Sequence, residues 1–142
     1  YSKAGKTYVK RVLALQGDEV QYSQAALTIN SKICKYSEST EPVGLEHEVL
    51  NEKCENQNFP VVKPLNKANS PDFPLTKLGE GQFLAVSDNR IPSENIMVPI
   101  EIVNYDQIVG KPLAIWMSYS STQDFISQTL GVRWNRILTI LK

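Results

Sequence analysis

No apolar run in this chain of 142 residues approaches the roughly 18 that a membrane-spanning helix needs, and no signal peptide opens it. The sequence therefore predicts no transmembrane helix within these residues, and places any membrane anchor upstream. Nor is there an excess of one charge: fifteen basic and fifteen acidic side chains cancel. With no basic stripe to neutralise phosphates, nucleic acid is excluded as a partner. Histidine occurs once, as His47 between Glu46 and Glu48, and cysteine twice, as Cys34 and Cys54, with no CxxC. Two cysteines and one histidine leave a zinc site a ligand short, so neither a metal nor another cofactor is expected. His47 reads as a solvated strand or loop residue rather than a base or ligand. No internal repeat is visible.

What is present describes one ordinary globular domain spanning 1–142, with 42% hydrophobic and 21% charged residues. Short strand-like runs recur at 7–15, 18–22, 25–29, 45–50, 81–86 and 107–118, separated by turn signals. The fold class is therefore mainly β. Between 56 and 76, Pro60, Pro64, Pro71 and Pro74 predict an extended loop or insertion. A short helix is expected from Thr122 to Leu130, capped by Thr122 and ended by Gly131. Cys34 and Cys54 suit either of two states. One is a disulfide in an oxidising compartment, closing a loop of about 20 residues for roughly 3 kcal/mol; the other is a pair of buried thiols.

The most informative stretch is Tyr8-Val9-Lys10-Arg11-Val12-Leu13-Ala14-Leu15-Gln16-Gly17-Asp18, where a lysine interrupts a strand-forming run. Strand alternation would place Tyr8, Lys10, Val12 and Ala14 on one face and Val9, Arg11, Leu13 and Leu15 on the other. A lysine on a packed face loses solvation of its ammonium, its pKa falls, and it can serve as a general base. The alternative is an edge lysine whose ammonium snorkels to water.

Two further blocks accompany it. Gly81-Gln82-Phe83-Leu84-Ala85-Val86-Ser87-Asp88-Asn89-Arg90-Ile91-Pro92-Ser93 reads as a strand entering a polar turn, and Gly110-Lys111-Pro112-Leu113-Ala114-Ile115-Trp116-Met117-Ser118 as a turn entering a strand. With the ending Gly131-Val132-Arg133-Trp134-Asn135-Arg136-Ile137, these ordered blocks resemble the type I signal peptidases, membrane-anchored serine proteases that remove signal peptides from exported proteins. The resemblance implies a convoluted antiparallel β-fold with a small extra β-region. It implies Lys10 as general base of a Ser-Lys dyad and Ser93 as the hydroxyl that orients it. Arg11 and Asp88 match an ion pair beside the site, Asn89 and Arg90 belong to the same supporting box, and Thr7, Tyr8 and Val9 match the edge that binds substrate as an added strand. The implied partners are a signal peptide or preprotein and, through an upstream anchor, the membrane. The implied location is the bacterial inner membrane, with the domain facing the periplasm or cell exterior.

The chain also departs from the family pattern. Ser87 stands for glycine, Asn95 for aspartate, Met97 for arginine and Gln16 for proline. The family's nucleophile lies in a Ser-Met-x-Pro motif several tens of residues before the lysine, and only nine residues precede Lys10 here. Ser39-Thr40-Glu41-Pro42 has a similar spacing but follows Lys10, and Ser2 has no such motif. The expectation is a piece of a longer or cleaved protein, inactive alone. Three functions are compatible: a signal peptidase-like endopeptidase, including a form specialised for a pilin or conjugation protein; a non-catalytic peptide-binding relative; and a self-cleaving repressor. The last is disfavoured because no DNA-reading helix pair is apparent.

Overall fold

The computed structural model describes residues 1–24, 26–38, 47–64, 72–91, 99–116, 119–120, 131–132 and 137–140. Its architecture is mainly β, and its sheets are antiparallel. Contacts divide the chain into two compact units, Tyr1–Val109 and Gly110–Lys142. The first unit runs β1 (Ser2–Lys3), β2 (Lys6–Thr7), β3 (Arg11–Leu15), β4 (Glu19–Ser23), β5 (Ala26–Ile29), β6 (Lys32–Ile33), β7 (Lys35–Glu38) and β8 (His47–Cys54). It continues through β9 (Gln57–Pro64), β10 (Phe73–Lys77), β11 (Gln82–Val86) and β12 (Ile100–Asn104), and a 3₁₀ turn follows at Tyr105–Gln107.

Ala4 and Gly5 both take positive φ, which suits the two-residue turn joining β1 to β2. The Tyr1 and Tyr8 backbones then exchange hydrogen bonds of 2.8 and 2.9 Å, and their rings stack with centroids 5.5 Å apart. The three-stranded sheet β3-β11-β12 follows. Its central strand is buried on both faces: Leu84 and Val86 enter the main core, whereas Phe83 and Ala85 join Tyr1, Val103 and Tyr8 in a smaller cluster.

Pairing of β3 with β11 passes from Ala85–Val12 to Leu84–Ala14, so Leu13 is an extra residue in a bulge. The bulge reverses the alternation expected across 7–15. Leu13 and Ala14 are both buried, while Val12 and Leu15 are exposed. Lys10 itself lies just before β3 rather than inside a continuous strand.

The main core lies between β4 and β5, with β10 and β6 flanking them, and the sheet β7-β8-β9. The proline-bearing segment expected to be a loop from 56 to 76 instead contains β9 and β10. The register explains how. The Val62 N–H points away from β8, toward the Asp88 carbonyl, and residues 60 and 64 share its direction. Pro60 and Pro64 thus forgo hydrogen bonds only on the outer side, where no ladder bond is lost. Val62, between them, is the point at which the turn after β11 attaches: its N–H donates to Asp88 O at 2.9 Å and its carbonyl accepts from Arg90 N at 2.8 Å.

Within the second unit, β13 (Ala114–Ile115), β14 (Tyr119–Ser120), β15 (Gly131–Val132) and β16 (Thr139–Ile140) form two short antiparallel pairs, β13 with β16 and β14 with β15. Of the strand expected over 107–118, the described residues 107–116 contain β13. The helix expected at 122–130 lies outside the described residues.

Candidate active site

Lys10 approaches the Phe83–Ala85–Val103 face of the central sheet. Its side chain is 3% exposed, its Nζ lies 3.5 Å from Glu101 Oε2, and it sits 5.8 Å from the centre of the Tyr1 ring. Glu101 reaches this face because the β11–β12 register sets it opposite Ala85. Its carboxylate also accepts from the Tyr1 hydroxyl and pairs with Lys3. Burial pushes the Lys10 amine below the ordinary lysine value; the charge and hydrogen bonding of Glu101 restore part of that, and Lys3 adds a smaller downward push. For Glu101, burial acts upward, but hydrogen bonds from Lys3 and Tyr1 together with the Lys10 charge hold the carboxyl below its usual value. The Tyr1 hydroxyl is raised by burial and by the adjacent carboxylate.

Arg11 turns to the other side. Its Nε and Nη2 grip Asp88 Oδ1 and Oδ2 at 3.0 and 2.9 Å, and its guanidinium lies 4.1 Å from the centre of the Phe59 ring. This two-pronged pair ties the strand after Lys10 to the turn after β11. Two residues on, Arg90 is 1% exposed, pairs with the fully buried Glu52 and donates through Nε to the Ser87 carbonyl. Glu52 also accepts from the Tyr36 hydroxyl. Asn89 caps the turn locally, its Oδ1 accepting from Ile91 N at 2.9 Å.

The structure thus brings Arg11, Asp88, Asn89 and Arg90 together with β9 and sets Lys10 against Glu101. Ser93, Asn95, Met97 and the stretch Ser39–Pro42 lie outside the described residues, as does the side chain of His47. Cys34 and Cys54 are bonded to each other. Their sulfurs and Glu52 lie within 4.8 Å of one another, but the thiols are consumed in the disulfide and Glu52 is engaged by Arg90 and Tyr36. Gln16, in place of the family's proline, accepts from Gly81 N at 3.1 Å and so ties the end of β3 to the start of β11.

Thr7 and Val9 are exposed, Val9 at 79%. Because Tyr1 and Tyr8 form a pair that exchanges both hydrogen bonds, antiparallel alternation directs the Thr7 and Val9 backbone groups away from β1. Among the described residues, no strand pairs with that side of Thr7–Val9, immediately before Lys10.

A family model described as signal peptidase, peptidase S26, matches residues 2–117. The chain belongs to that family. A signal peptidase I of Rickettsia typhi (strain ATCC VR-144 / Wilmington) is 24% identical over 125 residues, covering 81% of this chain and 47% of that protein. This S26 member therefore spans about half the length of the curated relative it matches. No solved structure matches it. Among the described residues, no helix is long and apolar enough to cross a membrane.

Sequence reasoning missed Glu101 and Glu52. A signal for Glu101 was present: it is the one charge in Ile100-Glu101-Ile102-Val103, an anomaly of the same kind as Lys10. Glu52 stands in the polar run Asn51-Glu52-Lys53 and gives no such signal.

Proposed function

We propose that the complete protein is a serine endopeptidase that cleaves signal peptides or leader segments from exported proteins, with Lys10 as general base. Family membership supports a signal peptidase-like activity, and the observation that carries the mechanism is the Lys10 amine, withdrawn from water next to the exposed Val9. An exposed lysine is an ammonium at neutral pH and accepts no proton; a desolvated one is a base.

The substrate adds as a strand along Thr7–Val9, with Val9 lining the pockets for small side chains. A serine hydroxyl, supplied by sequence beyond this chain, gives its proton to Lys10 Nζ as its oxygen bonds to the scissile carbonyl carbon, whose π electrons move to oxygen. When the tetrahedral intermediate collapses, the C–N bond breaks and the Nζ proton passes to the leaving nitrogen. Lys10 then takes a proton from the water that hydrolyses the acyl-enzyme. Ser93 orients the amine, while Arg11, Asp88, Asn89 and Arg90 hold the surrounding turn. The domain works on the extracytoplasmic side, anchored by a segment outside these residues.

The replacements Asn95 and Met97 favour a specialised peptidase, such as one acting on a pilin or conjugation protein, over a housekeeping enzyme. A peptide-binding relative without catalysis is the second reading supported by the same departures. The test is Lys10→Ala in the full-length protein: precursor cleavage disappears while the circular dichroism spectrum is retained. Turnover in that variant would remove Lys10 as base, and inactivity of the folded parent toward every exported precursor would favour the binding reading.

A further inference from the structure

We infer that Glu101 is a positioning residue for the Lys10 base: its carboxylate, 3.5 Å from Nζ, orients the amine and stabilises the ammonium formed when Lys10 accepts the serine proton. This inference rests on the reading of Lys10 as general base. It extends a dyad to a serine, lysine and carboxylate acting in line, and it concerns a residue outside the blocks that carry the family resemblance.

The carboxylate is held in a defined orientation. Lys3, whose side chain is half exposed, engages Oε1 from the solvent side, while the Tyr1 hydroxyl and Lys10 both face Oε2 from the interior. Glu101 itself is only 11% exposed, so its charge is poorly screened. Register explains its aim: Glu101 and Ala85 share the face that carries Phe83, Val103 and Tyr1, and Lys10 covers that face from the adjoining edge. Among the described residues, the titratable groups facing this pair are Tyr1, Lys3 and, through its contact with Tyr1, Tyr8.

The chemistry follows from where charge develops. A neutral amine that donates one N–H toward Glu101 turns its lone pair elsewhere, toward the serine hydroxyl. Once Nζ takes the proton it becomes a cation beside an anion, so the attraction is stronger after proton transfer than before. The proton stays on Nζ and the carboxylate stays ionised, as the carboxylate does beside histidine in a Ser-His-Asp triad. A carboxylate that served only to bind Lys3 and Tyr1 would stabilise the sheet without altering the titration of the base.

The two roles separate in a pH profile of kcat/KM on the full-length enzyme with an Ala-x-Ala precursor. Activity rises as Lys10 loses its proton. Removing the negative charge lowers the Lys10 pKa, so in Glu101→Gln the acid limb moves to lower pH, while the plateau falls by about tenfold to a hundredfold. Glu101→Asp keeps the charge but withdraws it by one methylene, and gives a smaller displacement in the same direction. It also serves as the decisive variant if the glutamine form does not fold. An acid limb that stays at the parental pH in whichever of the two variants folds overturns the inference, whatever happens to the rate. Lys10→Ala in the same assay tests the underlying reading separately, since turnover there removes the base itself.

Discussion

Lys10 and Arg90 are both withdrawn from water, with side chains 3% and 1% exposed, and each faces a glutamate brought in by another strand, Glu101 of β12 and Glu52 of β8. Their chemistry diverges from there. An arginine keeps its charge when buried and so depends on acceptors: Glu52 takes Nη2 and the Ser87 carbonyl takes Nε, while Nη1 has no hydrogen-bond acceptor among the described residues. Lys10 has a second option, which is to become neutral, and its more distant glutamate compensates only part of its desolvation. A fixed charge buried among fixed acceptors builds a structural joint. A charge that can be shed, held by a partial counter-charge, builds a base.

The buried pair also has a mechanical role. Glu52 and the Cys34–Cys54 disulfide share one face of β8, since residues 52 and 54 alternate to the same side. Arg90 fastens the turn after β11 to that face, Val62 fastens it again through two backbone bonds, and Asp88 then meets Arg11, the neighbour of Lys10. Order beside Lys10 is thus transmitted from a second sheet.

Breaking the fixed pair has the largest effect on stability. Replacing Arg90 by Met alone leaves Glu52 as an uncompensated buried charge and costs about 3–5 kcal/mol in denaturant unfolding, whereas Arg90→Met with Glu52→Leu recovers much of the loss. A single mutant no less stable than the parent would remove the distinction between the two cations. Replacing Cys34 and Cys54 by Ala costs about 2–4 kcal/mol, read in the same experiment. If Asp88–Arg11 geometry depends on that sheet, the same variant also slows cleavage in the complete protein.

Lys10→Met sharpens the contrast in the opposite direction. The folded state lowers the lysine pKa, so between the folded and unfolded values the unfolded chain carries a proton that the native chain has released. Parental stability therefore rises with pH through that window, and the penalty for burying the ammonium is fully present below it. The Met variant loses this rise and is at least as stable as the parent at neutral pH, while being inactive. A less stable Met variant with the same pH dependence would mean that the Lys10 charge stabilises the fold. The smallest effect is expected at Arg11–Asp88, a third to a half exposed: Asp88→Asn changes unfolding by no more than about 1 kcal/mol.

The sequence made Lys10 conspicuous because it stood, with Arg11 beside it, in an otherwise apolar run, and resemblance grouped Arg11 with Asp88. The mainly β class was legible from short runs and turns, and the antiparallel arrangement was implied by the resemblance. Three features were not. The Leu13 bulge shifts the inward face by one residue, and nothing in an alternating run marks where a ladder gains a residue. Pro60 and Pro64 suggested a loop because composition does not reveal which side of a strand points outward. Glu101 and Glu52 meet their cations over separations of 91 and 38 residues, which only pairing register brings together.

The most direct test of the account is an NMR titration of the Lys10 side chain, with its ε-carbon and ζ-nitrogen labelled and Lys10→Met used for assignment. The account predicts that this amine titrates below the ordinary lysine value of 10.5. A Lys10 amine that titrates at that value, or above it, would make it a permanent ammonium paired to Glu101 and would contradict its role as the base.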